Sequence, residues 1–101
     1  MVKHIVFWKL RDAAEGSSKA ENARKVKARL ESLLGRIPGL LHIEVGIDFN
    51  GSGAAYDVAL YSEFTDRASL DEYQRHPEHA AVSDFIGRVR LSRAVVDYEV
   101  L

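Results

Sequence analysis

The chain opens with the segment VKHIVFWKL, Val2–Leu10, in which apolar residues occupy both alternating sets of positions. The first set contains His4, Val6, Trp8 and Leu10, and the second contains Ile5 and Phe7. A strand with apolar residues on both sides is usually buried on both sides. The segment therefore predicts a strand in the centre of a sheet.

The following residues alternate between helical and extended patterns. Ser18 and Glu21 form a capping-box pair, and the apolar spacing behind them predicts an amphipathic helix that ends near Gly35. Period-two alternation then predicts a second strand from Leu40 to Phe49, with one apolar face. That face is expected to contain Leu41, Ile43, Val45, Ile47 and Phe49. Asparagine and glycines at 50–53 predict a hairpin turn, and a third strand follows from about 55 to 64.

Helical patterns separated by a proline precede the last strand. Asp66 is a candidate cap for a short helix, which must stop before Pro77, and Pro77 is suited to begin another helix. Ala94–Leu101 alternates again and predicts the fourth strand. The order β, α, β, β, α, β predicts an α+β fold, the ferredoxin-like split βαβ sandwich, formed by a single domain over residues 1–101.

Helices in this fold cover only one face of the sheet, so the other face needs a partner. We expect the uncovered face to be the one that carries His4, Val6 and Trp8, in a chain that is 47% hydrophobic. An exposed apolar face of that size is unusual in a soluble monomer. The sequence therefore predicts a homodimer in which two open sheet faces meet and form a dimeric α/β barrel.

Composition excludes several classes of protein. The 101 residues include no cysteine, which rules out disulfides, thiolate metal sites and a cysteine nucleophile. Lys and Arg number 14 against 15 Asp and Glu, a balance that argues against a nucleic-acid partner. No window approaches the roughly 20 apolar residues of a membrane span. The N-terminal segment does not resemble a signal peptide, so we expect a cytoplasmic protein.

The segment YQRHPEH, Tyr73–His79, is the clearest candidate for chemistry. Pro77 breaks the helix there, so Tyr73, His76 and His79 can point into one space. Imidazole and phenol groups are suited to acid–base catalysis on an enolisable carbonyl compound. Structural roles are the alternative, with His76 as a helix cap and Tyr73 in the core. His4 is either a pocket residue or a strand-end histidine hydrogen-bonded to backbone.

Other clusters of polar residues carry weaker signals. His76, Glu78 and His79 match no zinc signature, so no metal or other cofactor is expected. Asp97 and Glu99 are interpreted as solvated residues of an edge strand. His42, on the polar face of the second strand, is interpreted as a surface residue or a subunit contact.

Several motifs together resemble the stress-responsive dimeric α/β-barrel (Dabb) family. The resemblance covers nearly the whole chain and rests on Val2–Val6, the Ile37–Leu40 turn with Val45-Gly46, Tyr56-Asp57, Phe64, and Tyr73-x-x-His76-Pro77-x-His79. It implies a ferredoxin-like monomer that pairs into a barrel. The family includes plant proteins associated with stress and a small set of polyketide cyclases that work without a cofactor.

The cyclase branch implies roles for individual residues. His79 would be the general acid or base, Tyr73 its hydroxyl partner, and His4 a pocket-lining group. The cyclases place a further histidine where this chain has Val58, and the bulk of Trp8 narrows the pocket, so we expect a smaller ligand. That ligand is a small apolar or aromatic carbonyl compound, held between the sheet and the second helical region. The residues expected to line its site are His4, Val6, Trp8 and His76.

Two other functions remain open at this point. One is a non-catalytic stress or assembly protein in which the Tyr73–His79 motif only shapes the helix corner. The other is a cofactor-free monooxygenase or haem-degrading enzyme on the same architecture, which fold analogy alone supports.

Overall fold

The structure, a computed structural model, describes all 101 residues and contains four long strands and three helices. In chain order they are β1 (Val2–Leu10), α1 (Lys19–Glu31), β2 (Leu40–Ile47), β3 (Val58–Phe64), α2 (Arg67–Arg75), α3 (Pro77–Val89) and β4 (Arg90–Glu99). A two-residue ladder also joins Ala13–Ala14 to Ser17–Ser18, where the sequence predicted only a loop. The predicted α+β ferredoxin-like fold is confirmed.

The four strands form one antiparallel sheet in the order β2, β3, β1, β4, with β1 and β3 in the centre as predicted. His4 lies opposite Ser62 of β3 and Asp97 of β4. Directly opposed residues of antiparallel strands have their side chains on the same side of the sheet. The register therefore places His4 and Asp97, 93 positions apart in the chain, side by side.

The helices cover one face of β1, but it is not the face that the sequence led us to expect. His4, Val6 and Trp8 are buried beneath the helices, and the prediction that their face is open is wrong. The open face carries Lys3, Ile5, Phe7 and Lys9, of which Phe7 is 37% exposed. The physical reason lies in the lysines: their ammonium groups can reach water from an open face but not from beneath three helices.

Three element boundaries and the register of one strand also differ from the sequence pattern. The helix α1 ends at Glu31 and is followed by turns, whereas the pattern extended it towards Gly35. The strand β3 begins at Val58, three residues later than expected, and β4 begins at Arg90 because α3 runs directly into it. In β2 the register shifts between Leu40 and His42, so Leu40 is buried, while Leu41 is exposed.

The corner between α2 and α3 is formed as predicted. The Asp66 side chain accepts a hydrogen bond from the Ser69 amide and caps α2, and Pro77 is the first residue of α3. His76 ends α2 and begins α3, and its Nδ1 accepts a hydrogen bond from the Glu78 amide at 3.1 Å. A single non-helical residue therefore separates two helices whose side chains face the sheet.

None of the three helices combines the length and the apolar composition that crossing a membrane requires.

Candidate functional site

A cavity of about 260 Å³ lies between the helix-covered face of the sheet and the helices. Its apolar lining consists of Val6, Trp8, Leu30, Leu60 and Ile86. Its polar lining consists of His4, Gln74, His79, Ser83, Arg90 and Arg93. The volume is just below the roughly 300 Å³ at which sites for drug-sized ligands begin, so the cavity suits a smaller molecule.

Two regular patterns of the sequence build this wall. On β1, every second residue, His4, Val6 and Trp8, faces the cavity. On α3, the lining residues His79, Ser83 and Ile86 recur at steps of four and three, which is one face of a helix. Arg90, the first residue of β4, follows four positions later.

His4 is held in place by a carboxylate. The His4 ring is 3% exposed, and its Nδ1 lies 2.5 Å from Oδ1 of Asp97. A carboxylate partner keeps the proton on Nδ1, which leaves the lone pair of Nε2 as the free polar atom of a ring that lines the cavity. Asp97 is exposed on an edge strand, as the sequence interpretation expected, and the strand register also gives it a buried partner in His4, which the sequence did not reveal.

His79 is half-buried on the cavity wall, and its Nδ1 has no hydrogen-bond partner. Burial lowers the pKa of His79, and the nearby positive charge of Arg93 lowers it further. The Gln74 carbonyl acts in the opposite direction on this pKa, although it makes no well-formed hydrogen bond to Nδ1. His79 is therefore neutral at pH 7 and able to accept a proton.

Tyr73 lies behind His79 rather than on the cavity wall. Its side chain is 0% exposed, and its ring centroid lies 4.1 Å from that of His79 and 4.9 Å from that of Phe64. The hydroxyl group is buried without a hydrogen-bond partner, and burial raises the pKa of Tyr73 above its ordinary range. Tyr73 thus keeps its proton and contacts His79 rather than the cavity.

Of the predicted site residues, the structure brings His4, Val6, Trp8 and His79 together on the cavity wall, and it places Tyr73 against His79. His76 is not part of that wall, because its Nδ1 caps α3. No three His, Cys, Asp or Glu side chains cluster in a way that could hold a metal ion.

Sequence reasoning missed four polar residues of the wall and expected a more apolar surface. Ser83 and Arg90 continue the helical spacing from His79, a signal that was available in the sequence. Arg93 reaches the site because it lies opposite Trp8 in the sheet, and Gln74 belongs to the last turn of α2. Only a known strand register identifies Arg93.

This chain is similar to several known proteins. A family model described as the Stress responsive A/B Barrel Domain, Dabb, matches residues 2–100. No curated protein matches the chain.

Two solved structures with the same fold are described as dimeric. A dimeric ferredoxin-like protein of unknown function from Bacteroides fragilis is 39% identical with a TM-score of 0.86, over 98% of this chain and 95% of that one. A dimeric ferredoxin-like protein of unknown function from Thermobifida fusca is 23% identical with a TM-score of 0.83, over 98% and 90% of the two chains.

A more distant structure shares the fold alone. The hydroxynitrile lyase from Passiflora edulis is 17% identical with a TM-score of 0.81, over 99% of this chain and 93% of the lyase.

Proposed function

Since this chain belongs to the Dabb family of stress responsive A/B barrel domains, we propose that it binds a small carbonyl compound in the cavity and catalyses proton transfer there. The proposal rests on one observation, the convergence of two imidazoles on the same cavity. One of them, His4, is oriented by Asp97, and the other, His79, has an unpaired ring nitrogen.

A buried polar atom without a hydrogen-bond partner lowers the stability of the folded protein, so its presence requires an explanation. Leaving a buried donor or acceptor without a partner costs about 1–3 kcal/mol. His79 Nδ1 and the Tyr73 hydroxyl are two such atoms on adjacent, contacting rings. Groups kept in this state in a folded protein are often reserved for a ligand or for catalysis.

The chemical step is a reversible enolisation. A neutral His79 accepts a proton from the carbon next to the carbonyl group, that C–H bond breaks, and its electron pair moves onto the carbonyl oxygen to give an enolate. The histidine then returns the proton to carbon or oxygen. The lowered pKa of His79 keeps the ring unprotonated, which the first step requires.

The other two residues have supporting roles in this proposal. His4 presents Nε2 to the ligand while Asp97 holds the ring, so His4 binds or stabilises the carbonyl compound from the sheet side. Tyr73 acts through His79, because its hydroxyl group does not reach the cavity wall. It is a positioning residue that fixes the plane of the His79 ring.

The proposed unit is a homodimer joined through the open sheet face. Ile5, Phe7 and Val96 form an apolar strip there, and Val96 is 55% exposed. The Lys3 ammonium group lies 5.4 Å from the centre of the Tyr61 ring, so the charged end of that lysine is folded against an aromatic surface. The dimeric relatives support this arrangement, and the open face exposes apolar side chains of the kind that form the centre of an interface.

Hydrogen–deuterium exchange tests the proton transfer. Phenylpyruvate and phenylacetone both have a CH₂ group next to a carbonyl group, and NMR in D₂O follows exchange at that carbon. We expect the wild-type protein to accelerate exchange of at least one of them above the background, and His79→Gln to abolish the acceleration.

His76→Asn is the matched control, because it also removes one imidazole but keeps a side chain that can cap α3. Its exchange rate should equal that of the wild type. No acceleration with either ketone, or full acceleration by His79→Gln, would disprove the proposal.

A non-catalytic assembly role is the second candidate, favoured by His76 as a helix cap and by Tyr73 in the core. In that case His79→Ala should lower the melting temperature or change the oligomeric state, and neither ketone should affect the wild-type protein.

A further inference from the structure

The charged side chains that line the cavity are all positive. Arg90 and Arg93 contribute two guanidinium groups, and none of the 11 lining residues is Asp or Glu. Asp97 is hydrogen-bonded to His4 but is not itself a lining residue. The cavity therefore has a positive wall in a protein whose net charge is −1.

The two arginines have no carboxylate partner within the chain. The arginines that form ion pairs are Arg36, Arg67 and Arg88, all outside the cavity. A positive charge focused in a cleft attracts an anionic ligand and raises its local concentration. A guanidinium group without a partner can also form two parallel hydrogen bonds to a carboxylate.

Arg93 is the arginine closer to the acid–base groups. It lies opposite Trp8 on the side of the sheet that faces the helices, and it is exposed to an incoming ligand. Burial raises the pKa of Tyr73 and lowers that of His79, and the positive charge of Arg93 acts downwards on both pKa values, as expected of a guanidinium group near both rings. Arg90 lies opposite Leu10, two residues further from His4 along β1 than the position opposite Arg93.

The other lining residues indicate the chemical nature of the uncharged part of the ligand. Val6, Trp8 and Ile86 provide an apolar surface that suits an aliphatic or aromatic body. Phosphate groups are commonly bound by glycine-rich loops that lead into a helix N-terminus, and this wall contains no glycine. The apolar surface and the small volume therefore favour a compact organic acid.

We propose that the cavity binds a small organic carboxylate with an apolar body, whose anionic group is held by the guanidinium group of Arg93. This inference rests on the proposed function and names its substrate class: a carbonyl compound that also carries a carboxylate, such as a 2-oxo acid. The carboxylate contacts Arg93 at the mouth, the body packs against Trp8, and the carbon next to the carbonyl group lies near His79.

Binding of two unreactive probes tests the carboxylate preference without any reaction. Phenylacetate and phenylacetamide have almost the same shape and differ in charge. In isothermal titration calorimetry at low salt, we expect the dimeric protein to bind phenylacetate at least tenfold more tightly than phenylacetamide. Raising the salt concentration should weaken only the binding of phenylacetate.

Two variants assign the effect to one residue. Arg93→Gln should weaken phenylacetate binding at least tenfold, to the level of the amide, and leave phenylacetamide binding unchanged. Arg24→Gln removes the same charge from an exposed site on α1 outside the cavity, so its affinities should stay within twofold of the wild type. Equal binding of the two probes, no binding of either, or a normal affinity in Arg93→Gln would overturn the inference.

The outcome separates the inference from the proposed function. If both probes bind equally while exchange of phenylacetone depends on His79, only the carboxylate preference is wrong. If phenylacetate binding depends on Arg93 while neither ketone exchanges, the ligand class is right and the proton transfer is wrong.

Discussion

Removing the Tyr73 hydroxyl group should make the protein more stable, which is the opposite of the usual effect of a core substitution. The hydroxyl group is buried without a hydrogen-bond partner in a side chain that is 0% exposed. In Tyr73→Phe the ring remains, with its contacts to Phe64 and His79 at 4.9 and 4.1 Å between centroids. The substitution therefore removes the cost and retains the packing.

The expected magnitude follows from the cost of an unsatisfied buried hydroxyl group. That cost is about 1–3 kcal/mol, and the small void left by the missing oxygen offsets part of it. We expect a net gain of about 1 kcal/mol in the free energy of unfolding. For a domain of this size, such a gain corresponds to a rise of about 4–8 °C in melting temperature.

Guanidinium chloride unfolding measures the change, at one fixed protein concentration because a dimer's stability depends on concentration. Tyr61→Phe is the matched control: its hydroxyl group donates a 2.6 Å hydrogen bond to Glu63, so this variant should lose about 0.5–1.5 kcal/mol. A loss of stability in Tyr73→Phe, with an unchanged denaturant slope, would refute the reasoning. It would mean that the hydroxyl group has a partner, such as a bound water molecule.

Three further expectations concern the fold, the pH dependence and the dimer. Gly39→Ala should destabilise by more than about 2 kcal/mol in thermal unfolding, because φ is +81° and a Cβ would collide with the side chain of Ser69. Gly53→Ala, with open space around it, should stay close to the wild type. Burial lowers the pKa of His79, so the unfolded chain binds the proton first. Stability linked to His79 is then fully present above about pH 6.5 and is lost as the pH falls below it. In His79→Gln, the curve of stability against pH should be flatter in that range. An unchanged curve would contradict the assigned burial of His79. Val96→Glu should dissociate the dimer, as measured by sedimentation velocity, whereas Ala28→Glu on the exposed side of α1 should leave it intact. If the Val96→Glu variant stays dimeric, the interface lies elsewhere.

The fold could be predicted from the sequence because its signals are local. Pro77 ends one helix and begins the next, and Asp66 caps α2. Both effects depend only on neighbouring residues of the chain. The same locality made the pairing of Tyr73 and His79 predictable, since both lie within two helical turns of one proline.

The face assignment and the partners of the site were not predictable in this way. Both sets of β1 residues are largely apolar, and only the positions of Lys3 and Lys9 distinguish the open face from the covered one. The contact between His4 and Asp97 joins residues 93 positions apart, and no periodicity within a strand reveals which residues lie opposite each other. Leu41 was misplaced because the register shift in β2 interrupts a pattern that was read as continuous.

The single-residue corner at His76 limits how this protein can change during evolution or engineering. An α-helix turns by about 100° per residue, so inserting or deleting one residue at the corner would rotate every following side chain of α3 by about that angle. His79 would then leave the cavity together with Ser83 and Ile86, because all three occupy one face. Substitutions on that face can adjust ligand preference one position at a time, whereas a change in length at the corner would remove the whole helical wall of the site at once.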